Sequence, residues 1–243
     1  MGKRILSVDF DYFYPDSGPY DWSHSENRSP MLAEILWQTR SGNVNLITGA
    51  SALESYVPSV PRGFWKSVLK NKPVAYVADS HLNIWDRLSS GDDVISIDAH
   101  HDCGYGEYTT FEELMDITEV DCANWGLMGR LTGRIKTLAV HYPAYRLDVP
   151  ETTPSIHGKI NAPSWLSATL PDPMKYDEVF ICRSGAWTPP WYDDVFVKFV
   201  ESSGLQVREL DDVMSERSPS LAEARLHAQN WEKMLAYFQS NKE

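Results

Sequence analysis

VISIDAHHDC, residues 94–103, is the stretch of the chain that decides its fold. It begins with β-branched and small residues without charge, a pattern typical of a strand buried on both faces of a parallel sheet. It then runs directly into Asp98, His100, His101 and Asp102. Side chains this polar at the carboxyl end of a buried strand indicate a functional site rather than a core.

The spacing within this stretch favours a metal site. In an extended segment Asp98, His100 and Asp102 would point to one side, and Ala99 and His101 to the other. Two carboxylates and one imidazole form a mixed oxygen and nitrogen ligand set, which suits Mn²⁺, Fe²⁺ or Zn²⁺ better than Ca²⁺. The alternative is a polar loop in which Asp98 caps the chain and the histidines are solvated.

Composition and charge narrow the class of protein. Apolar residues make up 42% of the chain and charged residues 23%, which is ordinary for a globular protein with a sizeable core. Length permits one large α/β domain or two small ones, and because no linker divides the chain we predict one domain over residues 1–243. A net charge of −12 argues against a nucleic-acid partner and weakly favours a cationic substrate.

The chain lacks signals for export or membrane insertion. No apolar run approaches the ~20 residues of a transmembrane helix, and the basic start leads into a strand-like segment without a signal-peptide cleavage pattern. Cys103, Cys122 and Cys182 are odd in number and lack CxxC spacing, which supports neither a disulfide framework nor a structural zinc site. We therefore expect reduced thiols, no membrane partner and a cytoplasmic location.

Strand-like and helix-like segments alternate along the chain, and a proline-rich excursion interrupts them at residues 147–173. We predict strands over residues 4–13, 44–48, 73–78, 94–97, 137–140, 179–182 and 206–210. We predict helices over residues 29–42, 51–56, 64–70, 82–88, 125–131, 192–202 and 220–240, with another beginning near Thr110. This alternation indicates an α/β fold with a parallel sheet covered on both faces.

Polar clusters end four of the predicted strands. A parallel sheet would gather them at one edge, outside the carboxyl ends of its strands, where ligands bind in such folds. The clusters are Asp9 with Asp11, Asp79 with His81, Asp98 with His100 and Asp102, and Arg183 with Ser184. Their convergence is a stronger indication of a site than any one cluster.

These residues resemble a known superfamily. Residues 98–102, DAHHD, resemble the Asp-Ala-His-x-Asp metal motif of the arginase and agmatinase superfamily, the ureohydrolases. Residues 7–11, SVDFD, with Pro15 following, resemble its Ser-x-Asp-x-Asp motif. His81 is similar to the histidine of its Gly-Gly-Asp-His motif, although Asp79 stands two positions earlier and the glycines are missing.

The order of the motifs differs from that of ordinary arginases, in which Ser-x-Asp-x-Asp follows Asp-Ala-His-x-Asp instead of opening the chain. A permuted order is similar to that of a divergent arginase-like family whose characterised members are peptide arginases. These enzymes convert arginine in ribosomally made precursor peptides to ornithine. The resemblance implies a three-layer αβα arginase-like fold with a mainly parallel sheet, and an arginine-containing precursor peptide as the partner.

The resemblance also implies a site with two Mn²⁺ ions. Its ligand sets would be His81, Asp98, Asp102 and Asp9 for one ion, and His100, Asp98, Asp9 and Asp11 for the other. A hydroxide held between the ions would attack the guanidinium carbon, giving urea and ornithine. Asp102 would then pass a proton to the leaving amine.

Other candidate residues carry open alternatives. His101 is either a catalytic hydrogen-bonding residue behind the ligands or a packed side chain, and His141 is either a proton shuttle or structural. A substrate guanidinium needs a carboxylate, for which Glu54, Glu107 and Asp121 are all candidates.

An aromatic rim would suit a peptidyl arginine, which has no free α-amino or α-carboxylate group. Trp125, Trp187 and Trp191 could form such a rim, or they could be packing residues. The predicted substrate-binding set is Asn124, Trp125, Trp187 and Glu54.

Competing functions share some of these features. The same metal site could act on free arginine, agmatine or another guanidino compound. A deacetylase-like amidohydrolase would use one zinc ion and leave Asp9, Asp11 and His81 without a role, so it ranks lower. A non-catalytic peptide-binding module ranks below both, because all six expected ligands are present. A homo-oligomer is compatible with each of them.

Overall fold

A computed structural model of the chain describes residues 2–15, 37, 56–104, 119–148 and 165–240. Within these ranges Trp37 is helical. The predicted strand at 44–48, the helix near Thr110 and most of the helices at 29–42 and 51–56 lie outside the described residues. Glu54 and Glu107 lie outside them as well.

The described strands form one seven-stranded sheet in which every neighbouring pair is parallel. They are β1 (Arg4–Asp9), β2 (Val74–Ala78), β3 (Asp92–Ile97), β4 (Ile135–His141), β5 (Trp165–Ser167), β6 (Glu178–Cys182) and β7 (Gln206–Glu209). Their order across the sheet is β5-β4-β3-β1-β6-β2-β7, which places β1 at the centre between β3 and β6.

Helices follow most of the strands. The described α-helices are α1 (Phe64–Val68), α2 (Trp125–Leu131), α3 (Ala144–Asp148), α4 (Asp193–Ser202) and α5 (Leu221–Ser240). Short 3₁₀ helices cover Phe10–Phe13, His81–Arg87 and Pro190–Tyr192. Among the described residues, none of these helices combines the length and apolar character needed to cross a membrane.

Alternating side chains of the strands enter two separate cores, one on each face of the sheet. Leu6 and Val8 of β1 belong to the core that packs against α1 and α4. Ile5 belongs to the core on the other face, which includes residues of the 3₁₀ helix His81–Arg87 and of α2. The predicted fold class, a three-layer α/β arrangement with a parallel sheet, is therefore confirmed.

The carboxyl ends of the central strands are level with one another. Asp9 of β1 pairs with Cys182 of β6, and Ala78 of β2 pairs with the same residue. Val8 pairs with Ile97, the last residue of β3. The chain segments that leave these four strands consequently start at one edge of the sheet.

Three predicted elements differ from the structure. The strand predicted to reach residue 13 stops at Asp9, because the Asp9 carboxylate accepts the backbone N–H of Asp11 and turns the chain into a 3₁₀ helix. Residues 81–87 are also 3₁₀ rather than α-helical, starting after a similar bond from Leu82 to the Ser80 hydroxyl. The excursion predicted at 147–173 contains β5.

Phe199 of α4 is the point where aromatic rings from three elements meet. Its ring stacks on that of Trp65 with 4.7 Å between centroids and lies 5.0 Å from that of Phe13. We expect Phe199→Ala to lower the free energy of unfolding by about 3–5 kcal/mol, because it leaves a cavity in the core. Phe238→Ala, at a position where the side chain is 56% exposed, is the matched control and should cost below ~1 kcal/mol. Urea unfolding of both variants measures the difference, and equal losses would contradict this account of the core.

Candidate metal centre

His81 lies at the centre of a buried group of carboxylates. Its Nδ1 atom is 3.2 Å from Asp9 Oδ2, 3.1 Å from Asp98 Oδ2 and 3.0 Å from Asp102 Oδ2. The four side chains are all at least nine-tenths buried. We refer to His81, Asp9, Asp98 and Asp102 as the first ligand group.

The imidazole ring of His81 is held firmly by its surroundings. Its Nε2 atom is 2.7 Å from the Ser7 hydroxyl on β1. One ring face stacks on Phe180 of β6, with an angle of 3° between the planes and 5.7 Å between the centroids. The ring of Trp125 lies against it at 4.8 Å. These contacts direct Nδ1 at the carboxylates.

His100 forms a second ligand group with Asp11 and Asp98. Its Nδ1 atom is 2.9 Å from Asp11 Oδ2 and 3.9 Å from Asp98 Oδ1. This group lies nearer the surface, since the His100 side chain is 14% exposed.

Asp98 belongs to both groups. Its Oδ2 atom faces His81 and its Oδ1 atom faces His100. Ligand atoms lie within 4.8 Å of one another in two overlapping sets, Asp9 with His81 and Asp98, and Asp11 with Asp98 and His100. A metal ion fits here on chemical grounds, because four buried carboxylates repel one another unless a cation neutralises them. Among the described residues, the buried Oδ2 atom of Asp11 also has no polar partner other than His100 Nδ1.

The chain reaches this arrangement through a turn, so the extended conformation predicted for residues 98–102 is wrong, although Asp98, His100 and Asp102 converge as predicted. Asp98 Oδ1 accepts the backbone N–H of His100 at 2.8 Å, which bends the chain directly after β3. Asp102 has a φ angle of 50°, in the left-handed region. The carboxylates meet because of these local bonds.

Trp125 orients Asp102. Its indole Nε1–H donates to Asp102 Oδ2 at 2.7 Å, and the next residue, Gly126, donates its backbone N–H to the Asp102 carbonyl at 2.9 Å. Trp125 is only 1% exposed. The structure thus corrects its predicted place in an open aromatic rim: Trp125 is a buried support for a ligand.

Asn124 is also buried, and its amide group braces the turn before α2. The side-chain oxygen accepts the backbone N–H of Asp121 at 3.0 Å, and the side-chain nitrogen donates to the Glu119 carbonyl at 3.3 Å. Asp121 in turn accepts the backbone N–H of Ala123 at 2.9 Å. These bonds favour a structural role for Asn124, and its substrate contact stays a prediction. Glu54 lies outside the described residues.

Trp187 is the member of the predicted rim that the structure brings to the site. Its ring is half-buried, with its centroid 4.9 Å from that of His100. Trp191 instead packs its ring 5.6 Å from that of Trp37.

The two histidines predicted to be catalytic, His101 and His141, belong to neither ligand group. His101 is 1% exposed, and its Nδ1 atom accepts the backbone N–H of Cys103 at 3.0 Å, which favours the packed alternative. His141 follows Val140, which enters the core shared with α2, so its side chain lies on the opposite face of the sheet. Its Nδ1 atom bonds to the Thr169 carbonyl. Burial lowers the pKa of His141, and that bond opposes the effect. Its role as a proton shuttle stays a prediction.

The other polar residues that follow β2 and β6 belong to a separate network of ion pairs. Arg183 donates to Asp79 at 2.6 Å and to the Ser215 carbonyl at 2.9 Å, while Arg217 donates to Asp193 at 2.7 Å. These bonds hold the turn at 183–188, which carries Trp187. Asp79, Arg183 and Ser184 therefore reach the predicted edge without joining the ligand groups.

Sequence reasoning missed Arg146. This residue of α3 lies with its Nη2 atom 3.1 Å from Nε2 of His100. No sequence motif includes Arg146, because it lies on the helix after β4 and reaches His100 only through tertiary packing.

Comparisons with models of protein families, with curated proteins and with solved structures find no match for this chain. The resemblance to ureohydrolases rests on the three short motifs alone.

Electrostatics within the first ligand group favour bound protons while no cation is present. Burial, reinforced by the charge of Asp11, raises the pKa of Asp9 to about 6. Burial and the charges of Asp102 and Asp9 raise the pKa of Asp98 well above its usual range. Burial acts to lower the pKa of His81, but its bonds to the three carboxylates raise that pKa well above the ordinary value. Burial acts to raise the pKa of Asp102, yet His81 holds it below its usual value.

A metal ion must displace these protons. We therefore expect the affinity for Mn²⁺ to rise as the pH rises through about 6, by about tenfold per pH unit for each proton released. Calorimetric titration of chelator-treated protein in two buffers of different ionisation enthalpy measures the number of protons. An affinity that does not change with pH would contradict this assignment of the ligands.

Gly126 allows α2 to approach the turn that carries Asp102. A Cβ atom at this position would lie 2.9 Å from the Asp102 carbonyl oxygen, which belongs to the backbone and cannot move aside without moving Asp102. We expect Gly126→Ala to weaken Mn²⁺ binding by about tenfold or more, as changes behind metal ligands commonly do. Gly129→Ala is the matched control on the same helix, because its Cβ would meet the side chain of Ile135 instead. Equal Mn²⁺ affinities in the two variants would refute this positioning role.

Proposed function

We propose that this chain is a metal-dependent hydrolase that holds two Mn²⁺ ions and converts arginine side chains of a precursor peptide to ornithine, releasing urea. One observation carries the proposal: the two oxygens of the buried Asp98 carboxylate face two different histidine-containing groups. A carboxylate shared in this way is the usual bridge between two ions that act together in hydrolysis.

The donor atoms support manganese. Carboxylate oxygens outnumber imidazole nitrogens in both ligand groups, and no thiolate belongs to either of them. We assign Asp9, His81, Asp98 and Asp102 to the first ion, and Asp11, Asp98 and His100 to the second. The resemblance gave Asp9 to both ions, but its Oδ2 atom faces His81 and its Oδ1 atom accepts the backbone N–H of Asp11.

When bound, two such ions act as Lewis acids and lower the pKa of a water molecule toward neutrality. Overall, water adds to the guanidinium carbon, the bond from that carbon to the side-chain nitrogen breaks, and the amine takes up a proton. Asp102 is our candidate for delivering this proton. Trp125 fixes the orientation of its carboxylate through the bond at 2.7 Å.

The surface beside the second ligand group supports a guanidinium substrate. The half-buried ring of Trp187 lies next to His100, and guanidinium groups stack favourably on indole rings. The net charge of −12 attracts a cationic peptide. A cytoplasmic location belongs to the same proposal, and Cys103, Cys122 and Cys182 are all free thiols, as expected there.

Mass spectrometry of an arginine-containing peptide incubated with manganese-loaded protein tests the proposal. We expect each converted arginine to lose the mass of CH₂N₂ and one urea to appear, with two Mn²⁺ bound per chain. Asp98→Asn should reduce the rate by about a thousandfold or more, because it removes the shared charge. Asp86→Asn is the matched control, because it changes the net charge of the chain by the same amount at an exposed position. This variant should keep full activity.

Other outcomes separate the alternatives. Turnover of free arginine or agmatine without any change in the peptide would replace the peptide substrate with a small guanidino compound. Loss of the acetyl group from an acetyl-lysine peptide, with one zinc bound, would indicate a deacetylase. Binding of the peptide without any turnover would indicate a binding module.

A further inference from the structure

Arg146 determines which nitrogen of His100 accepts a hydrogen bond. Its Nη2 atom lies 3.1 Å from Nε2 of His100. A guanidinium group can only donate hydrogen bonds, so Nε2 must be the acceptor and the ring hydrogen of a neutral imidazole must be on Nδ1. Nδ1 is 2.9 Å from Asp11 Oδ2, an acceptor for that hydrogen.

The same Nδ1 atom is the one that a metal ion in the second ligand group needs. Coordination requires its lone pair, which places the ring hydrogen on Nε2. Nε2–H and the Arg146 guanidinium would then be two donors facing each other, next to an added positive charge. The hydrogen bond between Arg146 and His100 and an ion on His100 therefore exclude each other.

His81 in the first ligand group does not face this conflict. Its Nε2 atom meets the Ser7 hydroxyl at 2.7 Å. A hydroxyl both donates and accepts, so Ser7 can accept the Nε2–H that appears when Nδ1 coordinates an ion. The first group is thus compatible with a metal ion as it stands, whereas the second is not.

We propose that Arg146 controls the loading of the second metal ion: it must leave His100 before that ion binds, so the two ions enter in order and the second more weakly. This inference rests on the proposed function only in taking the second ligand group as a metal site. Arg146 is half-buried on α3, a helix of five residues, and is a positioning residue acting through His100. The proposal holds for any substrate of the site.

Manganese titration of the chelator-treated full chain, followed by the electron paramagnetic resonance signal of free Mn²⁺, tests the proposal. We expect Arg146→Met to bind the second ion at least tenfold more tightly than the unaltered chain and to bind the first ion equally. Arg146→Lys keeps a charged donor and should stay near the unaltered chain. Arg208→Met removes the same charge from an exposed strand and is the matched control.

A spectroscopic readout separates this role from simple folding support. In the metal-free protein, nitrogen chemical shifts of the His100 ring should show the hydrogen on Nδ1, and Arg146→Met should shift the Nε2 signal because that nitrogen loses its hydrogen-bond donor. The proposal is overturned if Arg146→Met binds the second ion no more tightly than Arg208→Met does, or if the unaltered metal-free chain carries the ring hydrogen of His100 on Nε2. Tighter binding in a chain that hydrolyses no peptide would refute the proposed substrate and leave this inference standing.

Discussion

The buried Asp98 carboxylate, placed between two histidines, is the feature on which the rest of the site depends. Its two oxygens face His81 and His100, and three further carboxylates lie in the same buried cluster. Such a concentration of negative charge is unfavourable in a protein interior unless cations or protons neutralise it. The raised pKa values of Asp9 and Asp98 express this cost, and a pair of divalent cations would remove it.

The sheet supplies the rigidity that this cluster needs. β1 and β3 lie side by side at its centre, so Asp9 and Asp98 leave neighbouring strands at the same level. The ring of His81 is packed between Phe180 from β6 and Trp125 from α2, and Trp125 also orients Asp102. Residues of β1, β6 and α2 therefore position one imidazole ring.

The polar residues at this edge of the sheet form two networks with different roles. One contains the ligand groups. The other joins Asp79, Arg183, Asp193 and Arg217 in paired charges that hold the turn carrying Trp187 beside His100. The first network has an excess of negative charge and suits metal ions, whereas the second is balanced and suits a fixed scaffold. Gly185 lies within the second network, since a Cβ there would be 2.5 Å from the Asp79 carboxylate and 2.7 Å from the Arg217 guanidinium.

The sequence by itself determined the parallel α/β class and the residue types of the ligand groups, because buried β-branched strands followed by carboxylates and histidines leave a local pattern. The tertiary structure decided how these residues meet. Residues 98–102 converge through a turn with a left-handed Asp102, which depends on side-chain bonds that spacing does not show. Trp125 and Asn124 became buried supports, and Arg146 reached His100, because burial and long-range contacts follow from how α2 and α3 pack on the sheet.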